Sequence, residues 1–429
     1  MANLLLGPGV SVDFLDLGTY GPARPAPTSR TSTRFVIDYG DGSVEEYTGS
    51  GFSYGANGYP TGGTITGMKA TDAGDLVLSI TDVSLSAATL MGYFKTGNDQ
   101  AAQAYIFAGA DHMVGGDDAD SIRGFTGDDY IEGKGGNDIL YGDAGDDTID
   151  GGTGNDIAGF SGALANYKIT KSGANWIVSD TRANGSQGTD TLINIERMKF
   201  DDRTLNVFAY SSQIDTAAAN ILRTTVTTDT SLLVGNGAKT TSQGIADIIK
   251  AAAATTSVAI LAYQFFTGKI PGQAGIDYLV SATGPNANNL NSVYYQSFNL
   301  ENRYINFAVN LGKNGEGKAA FTTKYGGLSL FDATREAYKA IFGGAPTDAK
   351  VHAMIDTRVD YFASYGGDGA NGVGTKAAMV GWLLAEAVKA DVGMYAKAND
   401  AFLTDLADGA TFAVDLIGVY GAAAYAYAG

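Results

Sequence analysis

A nine-residue repeat between residues 109 and 159 constrains the fold of this chain more than any other feature. An aspartate recurs at every ninth position, with an apolar residue two positions after it and, for all but the first aspartate, a glycine five positions before it. The aspartates are Asp111, Asp120, Asp129, Asp138, Asp147 and Asp156; the glycines are Gly115, Gly124, Gly133, Gly142 and Gly151; and the apolar residues are Met113, Ile122, Ile131, Leu140, Ile149 and Ala158. The pattern matches the nonapeptide G-G-x-G-x-D-x-U-x of β-helix repeats.

The nine-residue period predicts a parallel β-roll. Six residues form a turn and three form a strand, so each repeat makes half a coil and stacks on the repeat two positions along the chain. The apolar residues then point inward, and glycines occupy turn positions that a residue with a Cβ would adopt only with strain. A flexible Gly/Asp linker is the alternative, but a linker has no reason to keep three residue types in register over six repeats.

Stacking also predicts a metal. Carboxylates from repeats i and i+2 meet at the same edge of the roll, where like charges repel unless a cation lies between them. Ca²⁺ accepts six to eight oxygens in a flexible arrangement, which the repeat aspartates and the turn carbonyls of the repeat glycines supply. Soft metals would prefer Cys or His. Pairing alternate repeats predicts about four calcium ions.

The charge balance agrees with a concentrated cation site. Of the net charge of −18, residues 109–156 contribute −11, through thirteen acidic and two basic residues. Such a chain is a poor partner for nucleic acid. It has no cysteine, so disulfides and thiolate metal sites are excluded.

The repeats resemble those of the RTX family of secreted proteins. That resemblance implies export by a type I secretion system with an uncleaved C-terminal signal, and the apolar tail at 412–429 is compatible with one. It also implies folding outside a Gram-negative cell, where calcium is abundant. The N-terminus lacks the features of a classical signal peptide, and the longest apolar run, at 258–266, is too short to insert across a membrane.

The remaining sequence predicts a multidomain chain, with a β-rich N-terminal domain, a parallel β-roll with a β cap, and an all-α C-terminal domain. Alternating apolar and polar residues favour strands before and after the repeats, and helical spacing dominates residues 241–429. The predicted boundaries are 1–108 for the N-terminal domain with short helices, 109–159 for the roll, 160–207 for the cap, 208–240 for a linker and 241–429 for the helical domain. In the cap, Asp180 and Asp190 are candidates either for a further calcium ion or for Asx turns.

Residues 257–311, "SVAILAYQFF…NRYINFAVNL", resemble the cell-anchoring domain of the Caulobacter S-layer protein, itself an RTX protein. The resemblance implies attachment to the O-antigen of outer-membrane lipopolysaccharide and self-assembly with other copies or with another S-layer protein. Here the helical part follows the RTX part instead of preceding it, and the RTX part is short. Aromatic and planar polar groups are typical of sugar sites, and the candidates are Tyr294, Tyr295, Asn299, Asn302 and Arg303.

No catalytic residues are predicted. Two histidines in the chain leave no H-E-x-x-H motif, and the G-x-S-x-G match around Ser53 lacks the following helix that a nucleophile elbow needs. We therefore expect a secreted, calcium-binding S-layer or S-layer-associated structural protein. The alternative is an RTX adhesin or an extracellular filament or biofilm matrix protein.

Overall fold

The computed structural model describes residues 2–10, 25–183, 187–223, 229–286, 289–409, 415–422 and 425–427. They form two compact units, Met1–Ala209 and Tyr210–Gly429. Strands dominate the first unit and helices the second, which confirms the predicted order of fold classes.

The first unit begins with an antiparallel sheet. Long alternating segments such as Pro60–Asp72 form its strands, and phenylalanine and isoleucine side chains on one face are buried. The elements are β1 (Asn3–Leu6), β2 (Ser29–Arg30), β3 (Arg34–Asp38), β4 (Ser43–Tyr54), β5 (Pro60–Asp72), β6 (Asp75–Thr81), β7 (Leu85–Ser86), α1 (Ala87–Lys95) and α2 (Asp99–Ile106). The helices begin at side-chain caps, Ser86 for α1 and Asn98 for α2.

The nonapeptide region forms short parallel strands at the predicted spacing. They are β8 (His112–Val114), β9 (Ser121–Arg123), β10 (Tyr130–Glu132), β11 (Gly135–Gly136), β12 (Ile139–Tyr141), β13 (Thr148–Asp150), β14 (Thr153–Gly154) and β15 (Ile157–Gly159). Strand β10 pairs with β8 and β13, while β12 pairs with β9 and β15. Alternate repeats therefore stack into two sheets, as the period predicts.

The apolar residue of each repeat lies at the centre of its strand and is fully buried. Ile131 is in register with Met113 and Ile149, and Leu140 is in register with Ile122 and Ala158. These two rows face the interior between the two sheets. The roll therefore has an apolar core one side chain wide.

The segment after the repeats closes the roll. It contains β16 (Tyr167–Ser172), β17 (Asn175–Asp180), β18 (Thr189–Ile193), β19 (Arg197–Lys199) and β20 (Thr204–Asn206), with a 3₁₀ turn at Leu164–Asn166. Strand β18 adds in parallel to β13, and β19 adds in parallel to β15. Antiparallel strands then cover the edges, because β17 pairs with β18 and β20 pairs with β19.

The other end of the roll is joined to the N-terminal sheet. Strand β1 pairs in parallel with β8 and antiparallel with β6, so it belongs to both. Within the described residues one sheet of 13 strands runs from β16 to β2 through the roll. The predicted domains 1–108, 109–159 and 160–207 thus share a continuous sheet.

The second unit is a helical bundle around a large apolar core. Its helices are α3 (Ser212–Leu222), α4 (Asp229–Gly235), α5 (Thr241–Ala251), α6 (Thr256–Thr267), α7 (Gln273–Val280), α8 (Val293–Gln296), α9 (Leu300–Val309), α10 (Lys318–Tyr325), α11 (Leu330–Phe342), α12 (Asp348–Ile355), α13 (Val359–Gly366), α14 (Val373–Ala390), α15 (Gly393–Leu406) and α16 (Leu416–Tyr420). A 3₁₀ turn at Ala252–Ala254 and a π segment at Asn310–Asn314 complete the unit. Helix α14 is central, since nearly all of its residues from Gly374 to Ala387 are buried.

The structure differs from the predicted linker at 208–240. Helix α3 buries Ile214, Ala217, Ala218 and Ile221 in the core of the helical unit, and Ser231 and Leu232 of α4 are also buried. The apolar residues of α3 follow helical spacing, but the surrounding Thr, Ser and Asn residues obscure it. Residues 224–228 of this segment lie outside the described residues.

No single helix among the described residues is both long and apolar enough to cross a membrane. The pair Thr241–Ala254 and Thr256–Thr267, bent by 63°, passes the same test by length and composition. Most side chains of the second helix of that pair are buried in the protein core.

Candidate metal centre

The repeat aspartates form a hydrogen-bonded ladder along each edge of the roll. The backbone N–H of each aspartate donates to the Oδ1 of the aspartate 18 residues later, with distances of 2.7–2.8 Å. The pairs are Asp111 with Asp129, Asp120 with Asp138, Asp129 with Asp147 and Asp138 with Asp156. These are the four pairings of alternate repeats that the sequence predicts. All six carboxylates are at most 4% exposed.

The second carboxylate oxygen is the unusual atom in this ladder. Oδ2 of Asp129, Asp138, Asp147 and Asp156 is buried and has no hydrogen-bond partner. Asp120 differs, because its Oδ2 accepts from the backbone N–H of Gly116 at 2.8 Å. Four buried oxygens of one residue type without a donor indicate that a further electropositive group is needed in the roll.

The repeat glycines make room for these oxygens. An ideal Cβ added to Gly133 would lie closer than 3.0 Å to both Asp138 Oδ2 and the carbonyl oxygen of Gly151. The same holds at Gly124, against Asp129 Oδ2 and the carbonyl oxygen of Gly142. A carboxylate oxygen of one coil and a carbonyl oxygen of the next thus approach the same glycine.

Burial and the close spacing of the carboxylates disfavour the charged form of the ladder aspartates. Burial, together with the neighbouring charges of Asp147 and Asp111, raises the pKa of Asp129 to about 8, while the hydrogen bond from the N–H of Asp111 acts in the opposite direction. Burial likewise raises the pKa of Asp138 to about 7 and that of Asp147 to about 6. Without a cation, several of these carboxyls would hold a proton near neutral pH.

The available donors fit calcium. They are hard oxygens, carboxylate and carbonyl, from two successive coils. Within the part of the chain that the structure describes, no three acidic, histidine or cysteine side chains converge on one point. A cation here would therefore depend on backbone carbonyls as well as on carboxylates, as turn-rich calcium sites allow.

Of the two cap aspartates singled out from the sequence, only Asp190 joins the ladder. Its Oδ1 accepts from the backbone N–H of Asp147 at 3.0 Å, it is 2% exposed, and burial raises its pKa to about 8. Asp180 instead forms a 2.7 Å ion pair with Arg182, which lowers the pKa of Asp180.

Sequence reasoning did not identify Glu196, although it also extends the ladder. Its Oε2 accepts from the backbone N–H of Asp156 at 2.8 Å. The signal that could have found Glu196 is its position two residues before an apolar residue, Met198, as in every repeat.

The side chains of four of the five sugar candidates form hydrogen bonds within the helical unit. Asn299 caps α9, Asn302 accepts from the hydroxyl of Tyr361 at 2.9 Å, and Arg303 donates to two backbone carbonyls at 3.1 Å. Tyr295 is 5% exposed and accepts from Asn310 Nδ2. Tyr294 differs, since it is 55% exposed beside Val293, which is 85% exposed.

The G-x-S-x-G match does not form a nucleophile elbow. Ser53 lies inside strand β4 and pairs with Gly62 of β5, and its Oγ is 3.4 Å from Thr61 Oγ1. The elbow requires a strand-to-helix turn, whereas β4 continues into another strand. The rings of the two histidines contact other side chains, Tyr130 for His112 and Phe331 for His352.

Two protein-family models match parts of the chain. The model of the RTX calcium-binding nonapeptide repeat (four copies) matches residues 105–140 and 123–158, and the model of the RsaA N-terminal domain matches residues 255–428. The chain is thus similar to RTX repeats in the roll and to the RsaA N-terminal domain over most of the helical unit, a region called the RsaA-type domain below. The second match confirms the resemblance that residues 257–311 show to the Caulobacter S-layer protein. The RsaA-type domain begins within the helical unit, at the end of the 3₁₀ turn that precedes α6.

Among solved structures, the chain is similar to the extracellular lipase LipA from Serratia marcescens. The two are 29% identical over 21% of this chain, with a TM-score of 0.18. The matching part covers 14% of the length of that lipase. No curated protein matches the chain significantly.

Proposed function

We propose that this chain is a secreted, calcium-stabilised component of a bacterial surface layer, held on the outer membrane by its RsaA-type helical domain. The match of that domain over residues 255–428 carries the proposal. The RTX repeats add calcium dependence and are typical of proteins that fold outside the cell.

In the roll, the repeat aspartates and the carbonyls of the repeat glycines are the proposed ligands. Four observations support them: the stacked carboxylates, the buried Oδ2 atoms, the glycine positions and the raised pKa values. Calcium would replace the protons and offset the repulsion between coils. The roll would then fold at the calcium concentration outside a cell and remain unfolded during export.

In the helical domain, lipopolysaccharide O-antigen is the proposed partner. Tyr294 is the candidate best placed to stack on a sugar, because its ring is exposed while Tyr295 and Phe298 support it edge-on, with centroids at 5.2 and 5.0 Å. The other four candidates would act by shaping this surface.

Binding of the full chain to purified lipopolysaccharide tests the attachment. We expect calcium-dependent binding to smooth lipopolysaccharide and at least tenfold weaker binding to a rough form without O-antigen. Tyr294→Ala should weaken binding to the smooth form by roughly tenfold, which corresponds to about 1.4 kcal/mol. Tyr278→Ala, which removes a half-exposed tyrosine from α7 of the same helical unit, is the matched control and should bind normally. Equal binding to both forms would contradict O-antigen recognition.

Assembly is tested separately by electron microscopy of the purified chain after calcium is added. Two-dimensional sheets, alone or with another surface-layer protein, would support a lattice component. Fibres would favour an extracellular filament instead.

A further inference from the structure

The cap continues the geometry of the roll although it has no nonapeptide sequence. Leu192 of β18 is in parallel register with Ile149, and Met198 of β19 is in parallel register with Ala158. Both are fully buried, as the apolar residues of the repeats are. The two cap strands therefore occupy the positions of a seventh and an eighth repeat.

The first of these extra coils aligns with a repeat without a gap. Residues 188–194, "GTDTLIN", align position by position with residues 145–151, "GDDTIDG", which lie 43 residues earlier. The N–H of Thr189 donates to Asp146 Oδ1 at 2.7 Å, just as the N–H of Asp146 donates to Asp128 Oδ1 at 2.9 Å. Oδ1 of Asp190 then accepts a hydrogen bond from the backbone N–H of Asp147 at 3.0 Å. The hydrogen bonds between backbone N–H groups and carboxylates therefore continue from the last repeats into the cap.

The turn carbonyl is reproduced as well. At Gly151, an added Cβ would lie closer than 3.0 Å to Asp156 Oδ2 and to the carbonyl oxygen of Asn194. In the repeats the second contact is a glycine carbonyl, for example that of Gly151 at Gly133. Asn194 adopts the positive φ of 49° that a non-glycine residue tolerates best when it is Asn or Asp.

The last repeat carboxylates point to a ligand at this junction. Oδ2 of Asp147 and Oδ2 of Asp156 are buried without a hydrogen-bond partner, and the two side chains are 1% and 0% exposed. Asp190 lies against the first and Glu196 against the second through the ladder hydrogen bonds. Each junction position thus repeats the paired-carboxylate arrangement found within the roll.

We infer that the cap supplies two calcium sites beyond those of the nonapeptides, one containing Asp147 and Asp190 and one containing Asp156, Glu196 and the Asn194 carbonyl. The inference rests on the calcium-binding part of the proposed function. These two ions would join the roll to the cap and stabilise the docked cap.

Counting bound ions in the full chain tests the inference. Native mass spectrometry in calcium, supported by titration calorimetry, would compare the wild type with Asp190→Asn, Glu196→Gln and the double variant. Both substitutions keep one oxygen that can accept the ladder N–H, but they remove the charge and replace the other oxygen by an NH2 group. Asp201→Asn, in the same cap but hydrogen-bonded to the N–H of Gly162 at 2.8 Å, is the matched control.

Each single variant should bind one ion fewer than the wild type, the double variant two fewer, and the control the same number. An unchanged count in folded Asp190→Asn and Glu196→Gln would overturn the inference, while the wild type would still bind calcium. A wild type without bound calcium would instead overturn the proposed function of the roll. If a variant loses its cap, fluorescence of Trp176 in β17 would change. In that case, recovery of the wild-type spectrum at higher calcium without recovery of the ion count would still support the inference.

Discussion

At the scale of single residues, the roll depends on glycine, which has no Cβ, and on aspartate, which carries a charge. The repeat glycines bring backbone and carboxylate oxygens together because they have no Cβ, as at Gly133. The repeat aspartates supply charge where burial disfavours it, which raises the pKa of Asp129 to about 8. A bound cation would make both features favourable. It is coordinated by closely spaced oxygens, and it stabilises the charged form of the aspartates.

Gly133→Ala should weaken calcium binding by the roll roughly tenfold and reduce stability in calcium by about 1–3 kcal/mol, because the new methyl group displaces Asp138 Oδ2 or the Gly151 carbonyl. Calorimetric titration and thermal unfolding measure the two effects. Gly92→Ala is the control, since nothing lies within 4 Å of its Cβ position in α1. That substitution should be neutral or stabilising. A Gly133→Ala variant that binds calcium normally would contradict the proposed ligand arrangement.

The raised pKa values also predict a reversal of pH dependence. Without calcium, carboxyls with folded pKa values of about 6 to 8 contribute most stability below their unfolded pKa near 3.8, and this contribution is lost as the pH rises through 6 to 8. The calcium-free roll should therefore unfold at a lower temperature at pH 8 than at pH 5. With saturating calcium the dependence should reverse, because protons compete with the cation. A calcium-free unfolding temperature that does not vary with pH would contradict this account.

At the scale of elements, the two ends of the roll are closed by segments that imitate a repeat. Leu4 of β1 is in register with Met113, and the N–H of Ala2 donates to Asp111 Oδ1. Ala2 therefore stands where a repeat has aspartate, which ends the row of carboxylates at this end. At the other end Asp190 and Glu196 continue the row into the cap.

Helix α3 was not predicted, because the Thr, Ser and Asn residues around it obscure the helical spacing of its apolar residues. Ile221→Ala should destabilise the helical unit by about 2–5 kcal/mol, because the side chain is fully buried in its core. Thr216→Ala, on the exposed side of the same helix, should change stability by less than about 0.5 kcal/mol. Chemical unfolding followed by circular dichroism measures both. Equal, small effects would restore the interpretation of 208–240 as a linker.

At the scale of the whole molecule, the continuous sheet couples calcium to residues far from the repeats. Strand β1 hydrogen-bonds to β8 of the roll and to β6 of the N-terminal sheet. Loss of the roll would leave β1 without one partner and expose an edge of that sheet. Calcium should thus control the folding of the first unit as a whole.

Hydrogen–deuterium exchange of the full chain tests this coupling. On calcium removal, amides of β5 and β6 should lose protection together with those of β10 and β12, because they belong to one cooperative sheet. Helix α14 of the second unit provides an internal reference. Retained protection in β5 and β6 after the roll has lost its own would show that the N-terminal sheet folds independently.

The sequence by itself determined the roll, because a fixed nine-residue spacing ties each inward residue, glycine and aspartate to one position in a coil. It also determined the helical class of residues 241–429 through helical spacing. Only the tertiary structure decided what completes these parts. Asp190, Glu196 and Ala2 enter the ladder from outside the repeats, and α3 enters the helical core from a Thr/Ser-rich segment. The physical reason is that ladder hydrogen bonds and core contacts depend on spatial register, which residues distant in sequence can share without sharing the repeat.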